Sequence, residues 1–256
     1  MAASLSATTI GLWSTGVCFG QNTNLANCVG GVAGGLLNVG ANDNNYQYIA
    51  RIDGGTTGTN SSATNAGVAP GTVGGYVPND SGSLWIGPTA ANNTAAPRAL
   101  GAYTIQTTFD LTGFIASTLV LSMDIAVDNF VQILVNGHDV TSQFAGGINP
   151  TPSGMTGAGL ATCAQTSSTA HDPPAYCFEG YASGSVNNTQ AGGFLAGVNT
   201  LQFVVTNNDG GTAGSPTGLH THLIGNATLA AVPEPVTIGL VGFGLAGLGL
   251  IRRRRS

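Results

Sequence analysis

Charged residues are scarce in this chain, and lysine is absent. Of its 256 residues only 7% are charged, and four of the six arginines form one run near the end, Arg252, Arg253, Arg254 and Arg255. Ahead of residue 232, two arginines stand against ten carboxylates, which gives that part a net charge of −8. Such a surface lacks the cations that neutralise phosphates, so the composition excludes nucleic acid as a partner.

Groups for acid–base chemistry are also few. The sequence has four histidines and eleven acidic residues, and no pair of carboxylates can be assigned from it to glycan hydrolysis. Glycine contributes 40 residues, and Asn, Thr and Ser are abundant, as in extracellular, turn-rich β proteins. We therefore predict a protein that is not an enzyme.

A long helical pattern is missing ahead of residue 232, whereas strand patterns recur. Apolar and polar residues alternate over 103–109, 131–135 and 201–205, and residues 119–126 and 219–224 are further candidate strands. Asn136-Gly137 follows one of these strands, and this pair favours a tight hairpin turn. The chain is therefore predicted to be all-β, an antiparallel β-sandwich or jelly roll with long loops at 53–75 and 145–192.

The four cysteines fall into two pairs that are close in sequence, Cys18 with Cys28 and Cys163 with Cys177. There is no C-x-x-C motif, and no histidines are spaced around the cysteines as a zinc site requires. We expect two local disulfides formed in an oxidising compartment. Four free thiols in a reducing compartment are the alternative.

The composition changes sharply at residue 232. Pro233, Glu234 and Pro235 precede an uncharged apolar run of 16 residues, 236–251, which the four arginines close. As a single helix this run spans about 24 Å, slightly less than the roughly 30 Å hydrocarbon core of a bilayer. The arginines favour the cytoplasmic side and place residues 1–231 outside. Five glycines weaken the helix, which favours a removable segment over a plain anchor.

This order of parts resembles the PEP-CTERM sorting signal over residues 232–256. The resemblance implies an exosortase as partner, recognition at Pro233, Glu234 and Pro235, and stop-transfer at the arginine cluster. It further implies export, transient anchoring in the inner membrane and delivery to the cell surface or extracellular matrix. Residues 1–20 lack the basic start and continuous apolar core of a signal peptide, so we expect the natural start of the exported chain to differ.

Segments within residues 83–230 resemble the β-sandwich ectodomain often found in front of this signal. The similar segments are 83–88, 108–114, 127–129, 135–137, 196–203 and 216–219. The resemblance implies a galactose-binding-like jelly roll within an ectodomain of residues 1–231, with 145–192 as a loop insertion. It implies a non-catalytic structural or interaction role, and the alternative is a carbohydrate-binding module acting on exopolysaccharide.

Two aromatic residues are candidate contacts for a sugar ring, Trp85 and Tyr176. Trp85 lies in one of the segments that resemble the ectodomain, which favours a place in the core. Tyr176 lies inside the loop that the Cys163–Cys177 pair would close, where we expect it to be more exposed.

No cofactor is predicted, and calcium is a weak candidate. Asp124 and Asp128 share strand parity, and Asn129 follows, so their oxygens could hold a structural Ca²⁺. The alternative is that Asp128 and Asn129 fix a bend through hydrogen bonds to the backbone.

His220 and His222 stand two apart on a predicted strand, so both rings project from one face. They could share a metal with His138 or His171, but no carboxylate lies near them in the sequence. We therefore predict a solvent-facing pair near the sheet edge.

The run Asn-Asp-Ser-Gly-Ser at 79–83 is similar to the nucleophile loop of chymotrypsin-like proteases. Those enzymes need a histidine and an aspartate earlier in the chain, whereas all four histidines here come later. We predict that these residues form a turn leading into the strand of Trp85.

Overall fold

The computed structural model describes residues 7–21, 23–51, 61–64, 77–87, 101–128, 130–145, 181–207 and 218–230. These residues form thirteen strands, three single-turn 3-10 segments and no α-helix. The 3-10 segments are Leu25–Asn27, Val29–Gly31 and Thr141–Gln143. The strands are β1 Ala7–Thr9, β2 Asn42–Asp43, β3 Gln47–Arg51, β4 Ser61–Thr64, β5 Trp85–Gly87, β6 Gly101–Asp110, β7 Phe114–Asp128, β8 Phe130–Val135, β9 His138–Asp139, β10 Phe144–Ala145, β11 Ala182–Asn187, β12 Val198–Asn207 and β13 Gly218–Leu229.

The strands form two antiparallel sheets. The first has eight strands in the order β10-β11-β7-β13-β5-β4-β2, and β1 also pairs with β13. The second has five strands in the order β3-β6-β12-β8-β9. Because neighbours such as β7 and β13 are far apart in the chain, most of the sheet pairing depends on long-range contacts.

The strands predicted from alternating residues are confirmed. In the five-stranded sheet Phe203 of β12 lies opposite Ile133 of β8, and Leu201 lies opposite Val135. All four of these side chains are fully buried. The hairpin between β8 and β9 has Asn136 and Gly137 at φ 50° and 80°, the left-handed conformation that this residue pair tolerates.

One continuous buried cluster contains side chains from both sheets. It combines Leu121 and Ile125 of β7 and Leu219 of β13 with Ile105 of β6 and Phe203 of β12. Burying each such side chain stabilises the fold by about 1.5–3 kcal/mol before the cost of ordering it. The two sheets therefore enclose a common core, and the prediction of an all-β, sandwich-like fold is confirmed.

Two predicted loops contain strands, and those parts of the prediction are wrong. Ser61–Thr64 forms β4 within 53–75, and Ala182–Asn187 forms β11 within 145–192. Only Ala182 and Val186 are buried in β11, so its apolar pattern is too sparse to stand out. A Cβ at Gly184 would lie 2.4 Å from the carbonyl oxygen of Gln143, so this glycine admits the close approach of β10.

The predicted helix at 236–251 and the sorting signal lie outside the described residues, as do residues 146–180 with Cys163 and Cys177. Across the described segments, no helix has the length and hydropathy needed to cross a membrane.

The predicted Cys18–Cys28 disulfide is confirmed. Its Cα atoms are 5.9 Å apart, and both cysteines are almost fully buried. The Cys18 N–H donates to the carbonyl of Gly35, and Cys28 forms a β-bridge with Leu37, which is itself in the core. The disulfide therefore fastens an irregular, glycine-rich segment to the sandwich.

Replacing both Cys18 and Cys28 with serine should destabilise the fold by about 2–3 kcal/mol, because the open loop has more conformational entropy when unfolded. Urea unfolding of the double variant and of the parent chain measures the difference. An unchanged midpoint at equal slope would show that this disulfide adds no stability.

Candidate functional site

The outer face of the eight-stranded sheet carries a small second cluster of buried residues. Along β13, Leu219 and Leu223 face the core, whereas His220 lies on the opposite side. Trp85 of β5 and Ala126 of β7 share that outer side, and they form a cluster with Val77 and partly buried Tyr181. This part of the outer face is therefore covered rather than open to solvent.

The cover is the loop 77–84, which its own hydrogen bonds hold on the sheet. The indole N–H of Trp85 donates to the carbonyl of Val77 at 2.7 Å, and the Trp85 backbone N–H donates to Asn79 Oδ1 at 2.8 Å. Asp80 Oδ1 accepts from the backbone N–H of Gly82 at 2.7 Å and of Ser83 at 3.0 Å. The predicted turn before the Trp85 strand is present, and it leaves Asp80 Oδ2 directed at His222 and Tyr181.

Five polar side chains meet beneath this loop: Asp80, Ser83, Tyr181, His220 and His222, called here the polar cluster. His222 Nε2 lies 2.9 Å from Asp80 Oδ2 and 3.1 Å from Ser83 Oγ. The Tyr181 hydroxyl lies 3.2 Å from Asp80 Oδ2, 3.4 Å from His220 Nδ1 and 3.3 Å from His222 Nε2. Ser83 Oγ also contacts His220 Nε2. Three segments distant in sequence thus converge on one point.

The side chains of the polar cluster differ in how deeply they are buried. Ser83 and His220 are fully buried, whereas the side chains of His222 and Asp80 are 28% and 41% exposed. The prediction of a solvent-facing histidine pair near the sheet edge is therefore wrong: His220 is buried, and β13 lies between β7 and β5 in the interior of the sheet. Trp85 and Tyr181, each 5.5 Å from the His220 ring between centroids, cover this histidine.

The same burial shifts the pKa values in the polar cluster. Burial lowers the pKa of His220 to about 4, and this outweighs the opposite effect of the Asp80 charge. Burial, followed by the charge of Asp80, raises the pKa of Tyr181 well above its ordinary value. Burial raises the pKa of Asp80, but the Gly82 N–H and His222 together bring it below its ordinary range. At neutral pH, His220 is therefore a neutral imidazole, Tyr181 a protonated phenol and Asp80 a carboxylate.

The polar cluster is not a serine-protease triad. In a triad the carboxylate holds one imidazole nitrogen while the serine contacts the other. Here Asp80 and Ser83 both contact Nε2 of His222, and Nδ1 of His220 faces Tyr181 instead of a carboxylate. Ser83 is also fully buried, so a substrate cannot reach its hydroxyl.

The other predicted site residues are dispersed. Trp85 is 1% exposed, so its ring belongs to the core and offers no open face for stacking. Asp124 pairs with His222 across β7 and β13, whereas Asp128 is buried at the far end of β7. His138 is exposed on β9 of the other sheet. Asn129, His171 and Tyr176 lie outside the described residues.

A groove of about 680 Å³ lies beside β3 and β6. Trp13 lines it, stacked on Phe19 with ring centroids 5.1 Å apart and planes 15° apart. Gly20 adopts φ 64°, and a Cβ there would lie 2.2 Å from Trp13 Nε1, so the ring position requires glycine. Most other lining side chains are neutral and polar: Gln21, Asn44, Asn45, Gln47, Gln106, Thr107 and Thr108.

Sequence reasoning missed three features of these sites. The spacing of His220 and His222 predicted that both rings lie on one face of the strand. The carboxylate that contacts His222 belongs to Asp80, which lies 142 residues earlier in the chain. Tyr181 follows a segment without a strand pattern, and Trp13 precedes the first strongly alternating strand. None of the three carries a local signal, because strand pairing alone brings them to their partners.

Comparisons with protein-family models, curated proteins and solved structures found no match to this chain.

The burial of His220 predicts a loss of stability in mild acid. Unfolded histidine titrates near 6.5 and folded His220 near 4, so the unfolded chain takes up its proton first as the pH falls. The contribution of His220 to the free energy of unfolding is fully present above the pKa of the unfolded histidine and is lost as the pH falls toward the pKa of folded His220. The loss between about pH 7 and pH 5 is about 2 kcal/mol. Urea unfolding in chelator-containing buffer at both pH values measures it.

The control for this prediction is His138→Ala, which removes an exposed histidine and should retain the full acid sensitivity. His220→Asn should lose it, while the neighbouring Asp80, Asp124 and His222 are left unchanged. Equal sensitivity in the parent chain and in His220→Asn would contradict the assignment to His220.

Proposed function

We propose that this protein is an exported substrate of an exosortase that acts at the cell surface or in the extracellular matrix, with a non-catalytic structural or interaction role. The observation that carries the proposal is the order of parts in residues 232–256. Pro233, Glu234 and Pro235 are followed by a short apolar run and then by four arginines. In this order the apolar run halts in the inner membrane and the arginines hold it there, facing the cytoplasm.

Three structural features support this proposal. The last strand, β13, ends at Leu229, so a cut near Pro233 leaves every described strand on the released side. The Cys18–Cys28 disulfide is typical of a protein that folds in an oxidising compartment. The two-sheet core supplies a compact body that can persist without the tail.

Changing Glu234 to alanine should block processing, because the recognition element is then incomplete. The variant should accumulate in the membrane fraction with the arginine tail intact, whereas the parent chain is released. Mass spectrometry of the mature protein from its native cells, together with fractionation, measures both the cleavage site and the location.

Glu179→Ala is the matched control for this experiment, since Glu179 is the other glutamate in the chain. Its processing should equal that of the parent. Equal release of the Glu234→Ala variant would contradict the sorting role of Pro233, Glu234 and Pro235.

A second candidate function is binding of an exopolysaccharide, and the groove at Trp13 favours it. Sugar recognition needs an aromatic face together with neutral hydrogen-bonding groups, and the groove combines Trp13 with amide and hydroxyl side chains. The Asn45 side chain fixes one wall by bonding the Gln21 N–H and the Phe19 carbonyl. This function is consistent with a galactose-binding-like jelly roll, which is the more specific fold that we propose for the sandwich.

Replacing Trp13 with alanine should weaken retention on the cognate polysaccharide by about tenfold or more, because it removes the larger of the two aromatic side chains, Trp13 and Phe109, among the described residues that line the groove. The fold should persist, since Tyr46 bonds the backbone carbonyl of Trp13 and not its ring. A polysaccharide pull-down with the full chain measures retention.

Leu195→Ala serves as the control for Trp13→Ala, because Leu195 is 54% exposed and does not line the groove. Retention that survives Trp13→Ala unchanged would place sugar binding elsewhere or exclude it.

A further inference from the structure

We propose that the polar cluster is a binding site for one zinc ion, with Asp80, His220 and His222 as ligands and the Tyr181 hydroxyl as the fourth ligand. This site is independent of the sorting signal and of the groove. The proposal stands on the convergence of two imidazoles and a carboxylate from separate parts of the chain, each offering a ligand atom within 4.8 Å of the other two.

Four of the six distances between the proposed ligand atoms, 2.9–3.4 Å, are close to those of a tetrahedral site. With zinc–ligand bonds of about 2.0–2.1 Å, neighbouring ligand atoms of a tetrahedron lie about 3.3 Å apart. The Tyr181 hydroxyl is 3.2–3.4 Å from Asp80 Oδ2, His220 Nδ1 and His222 Nε2. Asp80 Oδ2 and His222 Nε2 are 2.9 Å apart, closer than two ligands of one zinc ion, and the partly exposed Asp80 side chain has room to move away from His222.

Neighbouring groups already orient these ligand atoms. Gly82 and Ser83 donate backbone N–H groups to Asp80 Oδ1, which leaves Oδ2 directed at the histidines. Ser83 Oγ contacts Nε2 of His220, so the other ring nitrogen, Nδ1, faces the centre of the polar cluster. In zinc sites, groups that hydrogen-bond to the ligand side chains fix the orientation of those ligands.

The ligand types select zinc over calcium. Calcium takes six to eight oxygen ligands, whereas this site offers two imidazole nitrogens, one carboxylate and one phenol. The sequence has no lysine, and the single arginine of the described residues, Arg51, belongs to a strand of the other sheet, so the basic side chain recorded against Asp80 is that of the proposed ligand His222. The partial exposure of Asp80 and His222 gives an ion a path from solvent.

A zinc ion here would join three segments of the outer face. Asp80 belongs to the covering loop, Tyr181 precedes β11, and the histidines belong to β13. Binding to the folded chain alone stabilises it in proportion to the logarithm of free zinc. The site would therefore fasten the loop 77–84 and the start of β11 to the central strand.

The test is titration of the purified full-length chain with zinc chloride, after removal of metal with a chelator and in a mild detergent. We expect one saturable zinc per chain by calorimetry and a rise in melting temperature on adding zinc. Cobalt(II) should give the visible absorption of a tetrahedral site. Calcium chloride should produce neither change.

Two variants remove single ligands at partly exposed positions, so both should fold. Asp80→Asn keeps an acceptor for Gly82 and Ser83 but loses the charge, and His222→Ala loses one imidazole. Each should weaken zinc binding by on the order of 100-fold or more and remove the zinc-dependent rise in melting temperature. Tyr181→Phe should change the cobalt spectrum and weaken binding by a smaller factor.

Two matched variants keep the site and should bind as the parent does. Asp124→Asn changes the carboxylate next to His222 across the strand pair, and His138→Ala removes a histidine of the other sheet. The proposal is overturned by the absence of saturable zinc uptake, by binding that is unchanged in both Asp80→Asn and His222→Ala, or by equal binding of calcium. Binding lost equally in His138→Ala would also overturn it.

Discussion

The long antiparallel pairing of β7 with β13 is the constraint on which the rest of this structure depends. Leu223 lies opposite Met123 and Leu219 opposite Val127, and these side chains fill the core beneath the five-stranded sheet. Because side chains alternate along a strand, the same pairing sends His220 to the other face. One register thus fixes both the hydrophobic core and the position of the polar cluster, and a slip by one residue would exchange them.

Around Trp85 and His220, the described residues that cover the outer face belong to the loop 77–84. Trp85 anchors that loop through its indole and backbone N–H groups, and the side chain of Asp80 closes the turn. A buried imidazole is costly unless its nitrogens have partners. Ser83 and Tyr181 supply them for His220, so the covering loop stabilises the polar cluster while leaving Asp80 and His222 accessible.

The two candidate sites suit a protein that works outside the cell. The groove at Trp13 is rich in amide side chains and is also lined by one carboxylate, Asp110, whereas the polar cluster is small and offers imidazole and carboxylate groups. They lie on different sheets, so binding at one need not disturb the other.

The sequence alone determined the properties that are local or compositional. Alternation located β6, β8 and β12, Asn136-Gly137 marked a hairpin, and the short spacing of Cys18 and Cys28 indicated their disulfide. Strand parity even placed both histidines on one face. Tertiary structure alone decided that Asp80 and Tyr181 join those histidines, that Trp13 lines a groove and that Ala182–Asn187 forms a strand. The physical reason is that periodicity is a property of neighbouring residues, whereas these contacts exist only once distant strands have paired.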